Sequence, residues 1–296
     1  MPLGVVIKGI GGFYYIKSPL GLIECKARGI FRKNDVIPLP GDKVSFSIVD
    51  EEKKLGVLDK ILPRETELVR PAVANVTQLA IVVAIKSPQP DCVLLDKLLI
   101  TARIKDIEPI ILVNKIDQDT GDECKKFEKL YGKTGYKIFF LSAKQDMGFD
   151  QLTDMMKGQI TVFAGQSGVG KSTILNRIAG SSLMKTGEVS NKIERGKHTT
   201  RHAELIELSN GGFVADTPGF SSFELTGLEL NDLELYYPEF QEYLNNCRFN
   251  GCSHINEPDC VIKDAVLNGG IENERYERYI QFYNLLKKQK ANRYRK

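Results

Sequence analysis

Gly165-Gln166-Ser167-Gly168-Val169-Gly170-Lys171-Ser172 stands in the interior of a 296-residue chain, with Asn114-Lys115-Ile116-Asp117 and Ser142-Ala143-Lys144 ahead of it and Asp216-Thr217-Pro218-Gly219 behind. The glycines of the first stretch allow consecutive backbone N–H groups to turn inward around a β-phosphate. Lys171 then reaches the β- and γ-phosphates, and the Ser172 hydroxyl holds Mg²⁺. The apolar run Ile160 to Ala164 before the loop reads as a buried strand, and Lys171 to about Ile178 reads as a helix. Strand, loop and helix in that order are the context a phosphate loop needs. The loop alone leaves ATP and GTP undecided.

Asn114, Lys115 and Asp117 decide between them. The Asp117 carboxylate can accept from both N–H donors on the Watson–Crick edge of guanine, whereas adenine presents a ring acceptor there and lacks the second amino group. Adenine would therefore strand a buried charge, a costly arrangement. Lys115 can lay its stem along the base, and the Ala143 backbone N–H, in the Ser142-Ala143-Lys144 loop, can donate to the guanine O6. In the common order of guanine-nucleotide domains the phosphate loop comes first and the base-reading loops last. Here every part is present but rotated, which predicts a circularly permuted P-loop GTPase domain.

The surrounding chain divides by texture. Residues 1–66 hold five short runs rich in β-formers, Gly4 to Lys8, Phe13 to Lys17, Gly21 to Arg28, Lys43 to Val49 and Gly56 to Leu62, separated by glycine and proline turns. Five short strands predict a small closed barrel of the OB type. With 11 Lys plus Arg against 8 Asp plus Glu, this barrel reads either as a nucleic-acid binder or as a plain structural module. Residues 67–225 alternate strand and amphipathic helix, the pattern of a parallel sheet covered on both faces with ligand loops at the carboxyl ends of its strands. The strands are expected at Gln78 to Ile85, Pro109 to Val113, Lys137 to Leu141 and Ile160 to Ala164, with a hairpin of Ala203 to Leu208 and Phe213 to Ala215. Residues 226–296 turn to acidic and aromatic, mostly helical segments, a cysteine cluster, and a last helix from about Asn273 with a basic tail. The tail, Lys287 to Lys296, carries six basic residues and no acidic one, and reads as a solvated helix end or an RNA contact.

The formal charge of +3 permits a nucleic-acid partner without requiring one. No apolar run is long enough to span a bilayer, so a soluble, cytoplasmic protein without a membrane partner is expected. In a reducing compartment, Cys247-x4-Cys252-x-His254-x5-Cys260 offers three thiolates and one imidazole within 14 residues. Four soft ligands at loop spacings suit a closed, structural zinc site, with unliganded buried cysteines as the alternative.

Asp216 is expected to reach Mg²⁺ through water, and the Gly219 N–H to sense the γ-phosphate. Phe220 follows that glycine and cannot orient water by hydrogen bonding. His198, in Gly196-Lys197-His198-Thr199-Thr200, is the candidate to position the attacking water, since a neutral imidazole can accept from it; the alternative is an exposed loop histidine. Thr200 is the expected second protein ligand of Mg²⁺ beside Ser172, with Thr199 as the alternative.

The permuted order, the N-terminal barrel, Gly-Lys-His-Thr-Thr-Arg at 196–201, Asp-Thr-Pro-Gly-Phe at 216–220 and the downstream Cys/Cys/His/Cys set closely resemble the RsgA family of small ribosomal subunit biogenesis GTPases, of YjeQ/YloQ type. The resemblance spans essentially the whole chain. It implies an OB-fold, a permuted GTPase domain and a zinc-containing C-terminal domain. It also implies a GTP hydrolase of late small-subunit maturation that contacts 16S rRNA through its flanking domains and is stimulated by the small subunit. On that resemblance Gly165 to Thr173 and Asn114 to Asp117 carry GTP or GDP, Cys247, Cys252, His254 and Cys260 carry zinc, and His198 is catalytic. A monomer is expected.

Overall fold

The computed structural model describes residues 1–33, 35–186, 203–216 and 227–293. Strands β1 (Leu3–Ile10), β2 (Phe13–Ser18), β3 (Gly21–Ala27), β4 (Lys43–Asp50) and β5 (Leu55–Ile61) close into a barrel in the order β1-β2-β3-β5-β4, with β3 and β5 the parallel pair. Alternate inward residues, among them Val6, Ile16, Ile23, Val44, Phe46 and Leu58, are fully buried and form its core. This is the five-stranded OB-type barrel expected from residues 1–66. A short helix, α1 (Gly29–Lys33), fills the β3–β4 connection. At one helical turn it is too short for the apolar periodicity that reveals helices in sequence.

A hairpin of β6 (Glu67–Val69) and β7 (Ala72–Ala74) leads from the barrel into a six-stranded sheet. Its strands are β8 (Gln78–Ala84), β9 (Glu108–Asn114), β10 (Lys137–Phe140), β11 (Ile160–Ala164), β12 (Glu204–Glu207) and β13 (Phe213–Asp216), in the order β10-β9-β8-β11-β13-β12. All neighbours are parallel except β12, which pairs antiparallel to β13 at the edge. Every residue of β8 is buried, as expected for a strand with both faces covered. Helices α2 (Cys92–Ile104), α3 (Glu123–Gly132), α4 (Phe149–Met155) and α5 (Lys171–Thr186) are the crossovers. Helix α5 runs eight residues beyond the expected end near Ile178: once a helix is nucleated each further residue adds a bond cheaply, and the polar composition of Ser181 onward contains no proline to stop it.

The barrel rests on the sheet edge. Val5 and Ile7 of β1 pack into the core that contains Leu205 and Ala215, and Lys8 and Lys17 pair with Glu204 and Glu207 of β12 at 3.3 and 2.6 Å. The C-terminal module packs on α2, with 3-10 turns at Leu230–Tyr236 and Pro238–Phe240, then α6 (Val261–Leu267) and α7 (Asn273–Arg293). Its core of Leu233, Tyr237, Phe240, Ile262, Tyr279 and Phe282 takes in Ile100 of α2.

A buried polar cluster joins the two. Asp96 of α2 accepts from Arg275 Nη1 and Arg278 Nε, both at 2.5 Å, and from the Tyr131 hydroxyl at 2.7 Å. Arg275 also pairs with Glu239 at 2.7 Å, and its guanidinium lies over the Tyr237 ring at 4.6 Å. Burial pulls the pKa of Arg275 down, but Asp96 and Glu239 outweigh it and hold the arginine firmly protonated.

Candidate functional site

The phosphate loop leaves β11 with Gly165 at φ +135°, where a Cβ would lie 2.2 Å from the Val82 carbonyl oxygen of the neighbouring strand. Gly170, at φ +98°, is equally constrained: a Cβ there would meet Asn114 Nδ2 at 2.3 Å. Only glycine combines these dihedrals with so close an approach. Lys171 Nζ donates to the Gly165 and Gln166 carbonyls at 2.7 Å each, so the ammonium is held within the loop, and its half-burial lowers its pKa. Ser172 and Thr173 are exposed on the first turn of α5, Ser167 and Gly168 are exposed in the loop, and Val169 is buried beneath it.

The residues expected to read the base converge on this loop from the carboxyl ends of β9 and β10. Asn114 spans both sides: its Nδ2 donates to the Val169 carbonyl at 2.9 Å and its Oδ1 accepts from the Ala143 N–H at 3.2 Å. Lys115, in the left-handed conformation at φ 63°, donates from Nζ to the Gly168 carbonyl at 2.8 Å and to the Ser87 carbonyl at 2.5 Å. Asp117 Oδ1 accepts from the buried Ser142 hydroxyl at 2.6 Å. Rotation in sequence has thus left the loops together in space, because the circular order of strands around the sheet does not depend on where the chain is opened.

Asn114, Lys115, Asp117, Ser142, Ala143 and Gly165 to Thr173 are therefore brought to one end of the sheet. Asp216 closes β13 beside β11 at that same end. His198, Thr199, Thr200, Gly219 and Phe220 lie outside the described residues. The Ser87 carbonyl, in the loop after β8, is a contact that the sequence did not reveal. A backbone acceptor carries no side-chain signal.

Cys247, Cys252, His254 and Cys260 bring their ligand atoms within 4.8 Å of one another. Cys247 Sγ lies 3.8 Å from Cys260 Sγ, and His254 Nδ1 lies 3.6 and 3.4 Å from those two sulfurs. A tetrahedral zinc with bonds of about 2.3 Å to sulfur and about 2.0 Å to nitrogen needs edges of roughly 3.8 and 3.6 Å. The donor set fits that ion. His254 Nε2 meets Glu234 Oε2 at 2.7 Å, which fixes the ring with Nδ1 toward the thiols. Tyr276 and Tyr279 hold the loop by donating to the His254 and Ser253 carbonyls at 2.7 and 3.0 Å. Glu234 sits 20 residues upstream in an acidic stretch, and no spacing rule singles it out.

The fold and the converging loops define a circularly permuted P-loop GTPase domain carried between an OB-type barrel and a Cys/His module. Comparison with known proteins agrees across the chain's length. The RsgA N-terminal domain family matches residues 3–57 and the RsgA GTPase family residues 61–226. The small ribosomal subunit biogenesis GTPase RsgA of Ruminiclostridium cellulolyticum is 60% identical over 97% of this chain and 94% of its own length. The corresponding protein of Clostridium kluyveri is 45% identical over 97% and 99%. Among solved structures, YloQ, described as a circularly permuted GTPase, superposes with a TM-score of 0.82 at 36% identity over 98% of this chain and 96% of that one. YjeQ from Thermotoga maritima gives 0.81 at 34% over 96% and 98%. The chain belongs to the RsgA family, and it is a GTPase.

Proposed function

We propose that this GTPase acts in late maturation of the small ribosomal subunit, contacting 16S rRNA through its barrel and its Cys/His module, with turnover stimulated by the subunit. The observation that carries this reading is the end-to-end match to proteins named for small-subunit biogenesis, flanking modules included. The barrel surface supports an RNA contact, since the exposed Lys26 lies over the half-buried Phe13 ring at 5.1 Å. Aromatic faces with adjacent cations suit stacked bases and phosphates. In this reading the modules divide near residues 66 and 225, and the protein works as a monomer. No described helix is long and apolar enough to cross a membrane.

At the site, Asp117 and the Ala143 N–H read guanine, Gly165 to Thr173 wrap the phosphates, and Lys171 exchanges its loop carbonyls for the β- and γ-oxygens. Ser172 and Thr200 hold Mg²⁺, which neutralises charge on the transferring phosphoryl group. Asp216 and Gly219 complete the γ-phosphate side, and His198 orients water in place of the glutamine that Phe220 cannot supply. Zinc, held by Cys247, Cys252, His254 and Cys260, serves structure rather than chemistry.

Turnover of GTP and ATP with and without purified small subunits tests the assignment. Strong stimulation confined to GTP is expected; none would send the search to another partner. His198→Ala should lose the stimulated rate and keep GTP binding, and an unchanged stimulated rate would remove His198 from catalysis. Asp117→Asn should turn nucleotide preference from guanine toward xanthine, because the new amide N–H matches the extra carbonyl of xanthine, with a swing on the order of 100-fold. Retained preference for GTP over XTP in that variant would show that Asp117 does not face the base.

A further inference from the structure

The base-reading turn and the phosphate-binding helix are joined by an ion pair that lies outside the nucleotide loops. Asp146 sits two residues beyond Lys144 in the left-handed conformation, at φ 58°. The turn closes where Ser142 and Met147 exchange backbone hydrogen bonds at 3.2 and 3.1 Å. Arg177 lies on α5, six residues after Lys171. Its Nε donates to Asp146 Oδ1 and its Nη2 to Oδ2, while its guanidinium carbon lies 5.8 Å from the Phe149 ring centroid. Two parallel bonds fix the plane of the guanidinium as well as its distance, which a single lysine contact cannot do.

What the pair holds is a short relay. The Gln145 N–H, next to Asp146, donates to Ser142 Oγ at 3.2 Å, and the same hydroxyl donates to Asp117 Oδ1. Ala143, whose N–H meets Asn114 Oδ1, follows Ser142 directly. A shift of Asp146 therefore reaches both groups that face the base. Arg177 also holds the Asp146 carboxyl below its usual pKa, so the pair is charged throughout the neutral range.

We propose that Arg177 is a positioning residue for guanine recognition: through Asp146 it clamps the Ser142–Met147 turn to the phosphate-binding helix, and it thereby sets how long a guanine nucleotide stays bound. The inference rests on the reading of Asp117 and Ala143 as guanine ligands. Its test is the dissociation rate of a ribose-labelled fluorescent GDP from the full-length protein, alongside thermal melting without nucleotide. Arg177→Gln and Asp146→Asn should each speed release about three- to fivefold, the range open to a half-exposed bidentate pair. The double variant should be no faster than either single one, because both remove the same contact. Arg177→Lys should fall between them and wild type.

Release within about 1.5-fold of wild type in both single variants, or effects that multiply in the double, would overturn the proposal. So would a lowered melting temperature with unchanged release, the mark of a pair that serves stability alone. Wild-type affinity for labelled ADP separates the two levels. If ADP binds as tightly as GDP, the base-reading assignment falls and the proposal with it; if GDP is preferred and the variants release normally, only the role of Arg177 is lost.

Discussion

Stripping the Cys/His site with a strong chelator is expected to unfold residues 227–293 while the sheet and its nucleotide loops stay folded. The module has a core of its own, but its loops are long and irregular, and the His254 turn is held by two tyrosine hydroxyls and Glu234 rather than by regular structure. Burial pushes the Cys252 thiol up to about 12, so without an ion it stays protonated beside two further sulfur groups. Zinc reverses that preference by binding thiolates, and sites of this kind contribute on the order of 10 kcal/mol or more to folding. The purified protein should carry about one zinc per chain. Chelation should open 227–293 to protease, and added zinc should restore protection. A chain free of metal with the same protease pattern would rule out a structural ion.

Asp96→Ala should be the most destabilising single substitution between the GTPase domain and the C-terminal module, at about 3–5 kcal/mol. The cost is not the loss of an attractive pair alone. Asp96 is fully buried and receives two arginines, whose side chains are 2% and 10% exposed, so its removal strands charge in an apolar interface. Arg275 keeps Glu239, but Arg278 is left with only a long bond to the neutral Tyr131 hydroxyl at 3.5 Å and with Glu274 at 4.0 Å, a residue largely in water. Since the stranded charge is the cause, Arg278→Leu added to Asp96→Ala should restore part of the loss. The chain has no tryptophan, and seven of its eleven tyrosines fall from Tyr236 onward, so the tyrosine signal in urea melts is weighted toward unfolding of the C-terminal module. A cost under about 1 kcal/mol would show that the cluster is hydrated and that the interface is held by apolar packing alone.

These two cases mark the limit of what the sequence made legible. The Cys/His set could be read because its four ligands fall within 14 residues and their chemistry is unlike that of their neighbours. Arg275 and Arg278 could not: on a helix rich in Glu, Lys and Arg, charged residues three apart read as a solvated face. Only the packing of α7 on α2 turns that face inward, joining Arg278 to a carboxylate 182 residues away. The hairpin β6–β7 and the helix α1 were missed for a simpler reason, since three to five residues are too few to show a period.

Read alone, the sequence yields the nucleotide class, the permuted order, the three-part architecture and the Cys/His set. Each of these is written in contiguous residues, where spacing and side-chain chemistry suffice. The tertiary structure alone decided which partners complete them: Ser87 and Gly168 for Lys115, Glu234 for His254, Arg177 for Asp146, and Asp96 for two arginines. Those pairings join residues 20 to 182 positions apart. No local period encodes such contacts, because they exist only after the apolar faces of the helices and strands have been buried against one another.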